Sequence, residues 1–79
     1  MKKTIEITEG SAIRVETIKF KGKPFASIRK MYKKKGDKKW LPAKQGLTIP
    51  FEQIADIAKL MKKAALEDPN SFTEVDNEQ

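Results

Sequence analysis

Between Lys19 and Lys44 the chain carries eleven Lys or Arg side chains against a single acid, Asp37. Four aromatic residues, Phe20, Phe25, Tyr32 and Trp40, are set among those cations. Cations interleaved with flat π-faces suit one task in particular, which is holding a single-stranded nucleic acid. Lysine and arginine neutralise phosphates and release their counterions, while aromatic rings offer unpaired bases a surface to stack on. A solvated basic hairpin with its aromatics turned into a core would have the same composition.

Other chemistries find little material. There is no His and no Cys in the 79 residues, which removes the commonest acid–base catalyst, the thiol nucleophile and the usual zinc ligands. Ser11, Ser27 and Ser71 have no base beside them in sequence. Glu6, Glu9, Glu16, Asp37, Glu52 and Asp56 show no metal-ligand spacing. Lys21-Gly22-Lys23 lacks the glycine-rich stretch and the Ser or Thr of a phosphate loop. The expectation is a protein that is not an enzyme, with no cofactor and no metal.

Net charge is +6, and it is unevenly spread. Residues 1–50 hold 14 basic and 4 acidic side chains, whereas residues 51–79 hold 3 basic and 7 acidic ones. An anion-binding body with an acidic end is implied. A chain of 79 residues makes one domain and buries only about 60% of its unfolded surface, so its core is marginal. Without disulfides or zinc, association with a second copy is the remaining staple. The N-terminal stretch is interrupted by Glu6 and Glu9 and does not read as a signal peptide, and no apolar run reaches a membrane span. An intracellular protein, in a bacterial or host cytoplasm and associated with the nucleoid, is expected.

The elements that must position these residues are legible in outline. Alternation over Thr4–Thr8 gives a short strand, and Ile13–Phe20 gives a second. Within the second, the apolar parity changes from odd (Ile13, Val15) to even (Ile18, Phe20). Either a β-bulge near Glu16–Thr17 reconciles them or both faces are covered. Lys21–Pro24 reads as a hairpin turn, Phe25–Lys33 as the third strand and Lys34–Lys38 as a basic loop. Trp40–Ile49 is a fourth strand, with Pro42 and Gly46 marking an edge or a strong bend. From Phe51 the period becomes helical. Phe51, Ile54, Ala58, Met61 and Ala65 form one stripe, and Ile57, Leu60 and Ala64 an adjacent one. One small sheet face covers one stripe; either a twin helix from a second copy covers the other, or the sheet curls enough to cover both. Residues 67–79 carry five acids and Pro69 and read as an acidic flexible tail after a body of residues 1–66. That tail either competes with phosphates for the basic surface, recruits a basic partner or serves only solubility.

Phe20-Lys21-Gly22-Lys23, then Ile28-Arg29, the aromatic Tyr32 three residues on, and Pro42-Ala43-Lys44-Gln45-Gly46 before the helix together resemble the transcriptional positive cofactor four (p15 coactivator) family, in its minimal bacterial or phage form. The resemblance covers roughly residues 11–66. It implies an α+β fold, a curved four-stranded antiparallel sheet followed by one C-terminal amphipathic helix, working as a homodimer. It implies binding of single-stranded DNA with little sequence specificity, in DNA replication, recombination or transcription, with proteins of those processes as further partners. Carried over by residue, Phe20 and Tyr32 are stacking platforms, Lys21 and Lys23 turn cations, Arg29 a strand cation, and Lys44 and Gln45 fourth-strand contacts. Gln45 stands where some members have a second cation, and the loop before Trp40 is one residue longer and more basic. Arg29 and Tyr32 fall on opposite faces of a strict pleat, so a bend or bulge is expected between them. Ile54, Ile57, Leu60, Met61 and Ala64 are the implied dimer interface. RNA or duplex binding, or an accessory protein-interaction role beside a polymerase or recombinase, are the alternatives. Stacking aromatics disfavour duplex, whose bases hide their faces.

Overall fold

A computed structural model describes residues 1–75. The last four residues of the expected tail, 76–79, lie outside the described part. Four strands run in chain order as an antiparallel sheet: β1 (Lys2–Thr8), β2 (Ser11–Phe20), β3 (Lys23–Tyr32) and β4 (Leu41–Pro50). One helix, α1 (Phe51–Leu66), follows directly and packs on β3 and β4. This is the expected sheet followed by one C-terminal helix.

The β2–β3 turn sets the whole register. It contains only Lys21 and Gly22, both at positive φ (52° and 80°). That is the hairpin turn whose twist matches its strands. Phe20 therefore pairs with Lys23, and the ladder runs without a break to Arg14↔Arg29 and Ser11↔Tyr32. The four-residue turn expected over Lys21–Pro24 is thus shorter by two, and Lys23 and Pro24 belong to the strand. Pro24 is tolerated because it faces Lys19 in a non-hydrogen-bonded pair, and β4 ends opposite Phe25.

No bulge occurs near Glu16–Thr17, since Glu16 pairs in step with Lys2 on one side and Ser27 on the other. The parity change in β2 is therefore real. Ile13 and Val15 share one face with Ile5, Ile28, Leu47 and Ile49. Ile18 and Phe20 share the other with Arg14, Phe25 and Arg29. The irregularity expected between Arg29 and Tyr32 exists, but β4 carries it. Arg29 pairs with Gly46 and Met31 with Pro42, so Ala43–Gln45 stand opposite Lys30 alone. β3 itself keeps its alternation, and Arg29 and Tyr32 remain on opposite faces.

The core is as small as the chain length requires. Ala12, Ala26, Met31 and Ile49 are its buried apolar residues. Ala12 pairs with Met31 on the arginine face, and Ala26 with Ile49 on the other, close to where α1 begins. The helix starts at Pro50 with no side-chain cap, with Glu52 in its first turn and Lys63 in its last, as the helix dipole favours. None of its residues is buried. Ile54 and Ile57 are half-buried, and every residue from Ala58 to Leu66 is exposed. The C-terminal half of α1 thus extends away from its own sheet. Beyond it, Pro69–Ser71 form a 3-10 turn capped by Asp68, whose carboxylate accepts from the Asn70 N–H at 3.1 Å. This part of the expected flexible tail has local structure. Among the described residues no helix is long and apolar enough to cross a membrane.

Candidate nucleic-acid interface

The register gathers Phe20, Lys23 and Arg29 on one sheet face. At the turn, the Lys21 ammonium lies 5.5 Å from the centre of the Phe20 ring, while Phe20 itself is 62% exposed. An uncovered aromatic beside a cation offers a base one surface and its phosphate another. Lys21 stands at this position because the turn projects it outward, with both strands leading back into the sheet.

Arg29 is held more firmly. Its Nη1 donates to the Ala43 carbonyl at 3.1 Å and more weakly to the Lys44 carbonyl at 3.4 Å. The shift in β4 makes those carbonyls available, since the residues opposite Lys30 leave the regular ladder. The guanidinium lies directly over Gly46. A Cβ built there would stand 2.6 Å from Arg29 Cζ and 2.7 Å from Nη1. Gly46 is therefore a seat for the arginine head and not a conformational hinge. Gly46→Ala should leave thermal stability within about 0.5 kcal/mol, because only the flexible end of Arg29 must move. It should nonetheless weaken oligonucleotide binding by about 1 kcal/mol or more, through loss of a fixed charge-assisted donor. Melting curves and titrations on the same samples check both halves, and an unchanged affinity would show that the seat has no part in binding.

Two of the other residues expected to touch DNA, Tyr32 and Gln45, do not join this face. Tyr32, 39% exposed, pairs with Ser11 and Leu41 on the opposite side. Gln45 lines an open, largely apolar hollow of about 490 Å³ with Ile7, Ile13, Ile28, Lys30 and Leu47. Lys44 is exposed on the shifted segment of β4. Trp40 is half-buried and receives the Lys33 ammonium 4.3 Å above its ring, which ties down the base of the basic loop. Gly36, at φ 89°, turns that loop, and the Asp37 N–H donates to the Lys34 carbonyl at 2.9 Å.

A family model described as Transcriptional Coactivator p15 (PC4) matches residues 7–60. The chain belongs to the PC4 family. Its fold is also that of a PC4 homologue from Burkholderia pseudomallei. One crystal form of that protein is 20% identical, with a TM-score of 0.75 over 84% of this chain and 88% of that one. A second form, also 20% identical, gives 0.69 over 82% and 98%. A bacteriophage T5 homologue of the eukaryotic coactivator PC4, described as implicated in recombination-dependent DNA replication, is 17% identical. Its TM-score is 0.49, over 85% of this chain and 97% of that one. No curated protein matches.

Within the PC4 frame, one residue of the arginine face is not legible in the sequence. Arg14 pairs directly with Arg29 across β2 and β3, and both are half-buried. The signal lies in the turn. A four-residue loop would place Glu16 opposite Arg29, a conventional ion pair. The two-residue turn moves the strands by two positions and brings in Arg14. Among the described residues, no group of three or more acidic, histidine or cysteine side chains is placed to hold a metal ion.

Proposed function

We propose that this PC4-family chain is a homodimeric single-stranded DNA-binding protein with little sequence preference, acting in DNA replication, recombination or transcription. The observation that carries the reading is the Arg29 guanidinium, held by two main-chain carbonyls over Gly46 on the same face as exposed Phe20 and Lys23. A cation fixed by neutral acceptors keeps its full charge for a phosphate, and a ring left in water favours a base. Lys21, Lys23 and Lys44 add phosphate contacts around this centre. Tyr32 takes a base where the strand passes around the loop end of β3, and Gln45 contacts the strand beside Lys44. Residues 1–66 form the binding body and 67–79 an acidic appendage. The helix faces of two copies, with Ile54, Ile57, Leu60, Met61 and Ala64, form the dimer interface.

Titration of a labelled thymidine oligomer of about fifteen nucleotides, with duplex as competitor, tests the reading. Tight binding that duplex fails to displace supports it, and no binding, or preference for duplex, refutes it. The same assay separates the roles of the residues. Phe20→Ala and Tyr32→Ala should each cost about 1–3 kcal/mol of affinity with little change in salt dependence, because a stacking ring releases no counterion. Lys21→Ala and Lys44→Ala should flatten the slope of log affinity against log salt by about 0.7 for each phosphate no longer neutralised. Identical salt behaviour in the two groups would contradict this division.

A further inference from the structure

We infer that Phe25 is a second base platform on the arginine face, lying between the ring of Phe20 and the guanidinium of Arg29. This rests on the single-strand reading above and extends it to a residue outside the set that the resemblance implies.

The register fixes the order of side chains along that face. At the turn end stands the pair Phe20 and Lys23, next Ile18 and Phe25, then Glu16 and Ser27, then Arg14 and Arg29. Lys23 and Arg29 are six residues apart on one strand, about 20 Å at the usual rise. A nucleic-acid strand that touches both Phe20 and Arg29 on this face must cross the row of Phe25. That row offers a phosphate nothing. It holds Ile18, Phe25 and, where β4 ends, Pro50. In the register, β1 begins one row further on, with Lys2 opposite Glu16. Cations on either side of the apolar row hold the phosphates, so what lies over the row itself is a base. Phe25 is also the diagonal neighbour of Phe20 across β2 and β3. That relation separates side chains by about 7–8 Å, within reach of aromatic rings, and two rings so placed receive successive bases. Phe25 and Ile18 are half-buried, which steadies the ring and leaves part of it in water. Tyr32 lies on the other face, and Trp40, in the loop before β4, carries the Lys33 ammonium. Among the described residues, Phe20 and Phe25 are the aromatics that the four strands place on this face.

Phe25→Leu and Phe25→Tyr in the full chain separate the ring from its bulk. Affinity of the leucine variant for the thymidine oligomer should fall about fivefold to tenfold with an unchanged salt slope, while the tyrosine variant binds as wild type does. Melting curves on the same samples show that each is folded at the temperature of titration. Phe25→Trp reads contact directly, against the single tryptophan of wild type, Trp40. The emission it adds should be quenched by saturating oligomer, as a base stacks on the indole. Lower affinity in the leucine variant without that quenching means that Phe25 only props the face, and overturns the inference. Wild-type affinity in the leucine variant overturns it too, and leaves single-strand binding intact. A wild type that binds no oligomer refutes the single-strand reading, and the inference falls with it.

Discussion

Wild type is expected to scatter light at twice its 9.0 kDa chain mass, and Leu60→Glu at the mass of a single chain. Leu60 is 65% exposed, Met61 66% and Leu66 79%, on a half-helix in which no side chain is even half-buried by its own chain. Burying one leucine is worth about 1.5–3 kcal/mol. A two-fold interface uses each residue twice, so one substitution removes about 3–6 kcal/mol, or two to four orders of magnitude in dissociation constant. Forcing two carboxylates into the same interface adds to the destabilisation. Ile57 and Ile54 are less clean probes. Both are half-buried within their own chain, so a charge there damages the fold as well as the interface. A wild-type chain that stays folded and monomeric at micromolar concentration would rule out the dimer.

Arg29→Ala should be the most damaging single change to binding that spares the fold. It removes a cation whose head is fixed by two main-chain carbonyls. A charge-assisted hydrogen bond of this kind is worth about 1.5–3 kcal/mol, about tenfold to a hundredfold in affinity, and the salt slope should flatten by about 0.7. Stability should change little. The carbonyls of Ala43 and Lys44 lie at an edge strand and can bond water. Arg29→Lys separates charge from geometry. It keeps the slope but gives up most of the affinity, since an ammonium cannot hold two carbonyls and a phosphate oxygen as a planar fork does. An alanine variant that retains the wild-type slope would show that Arg29 does not touch phosphate.

The strands and helix are legible because their periods differ, alternation up to Ile49 and a 3.6-residue repeat after Phe51. The breakers Pro42 and Gly46 are also informative, and both lie where β4 departs from its ladder. Register is not legible. It depends on whether the turn after Phe20 holds two residues or four, and the two-residue form requires Lys21 to adopt a left-handed conformation that sequence rules assign to Gly or Asn. From that one ambiguity follow the position of Arg14 and the strand role of Pro24. The face of Tyr32 follows from parity. Which strand absorbs the irregularity does not, because the two extra residues in β4 leave no mark on the alternation of β3. The seat of Arg29 on Gly46 is hidden for a related reason. A glycine in a strand signals either a bend or a close approach, and only the three-dimensional pairing says which.

Lys21 gives the turn a further meaning. A side-chain-bearing residue at φ 52° is held against an intrinsic preference of about 1–2 kcal/mol. Asn or Gly there would relieve much of that cost and fit the same turn. Each would also delete a cation beside the exposed ring of Phe20. Foldability and ligand capture therefore pull in opposite directions on a single codon. Laboratory selection for heat resistance alone should drift toward Asn-Gly at this corner and yield sturdier proteins that bind less well. Selection for tight capture should keep the lysine and tolerate a softer hairpin.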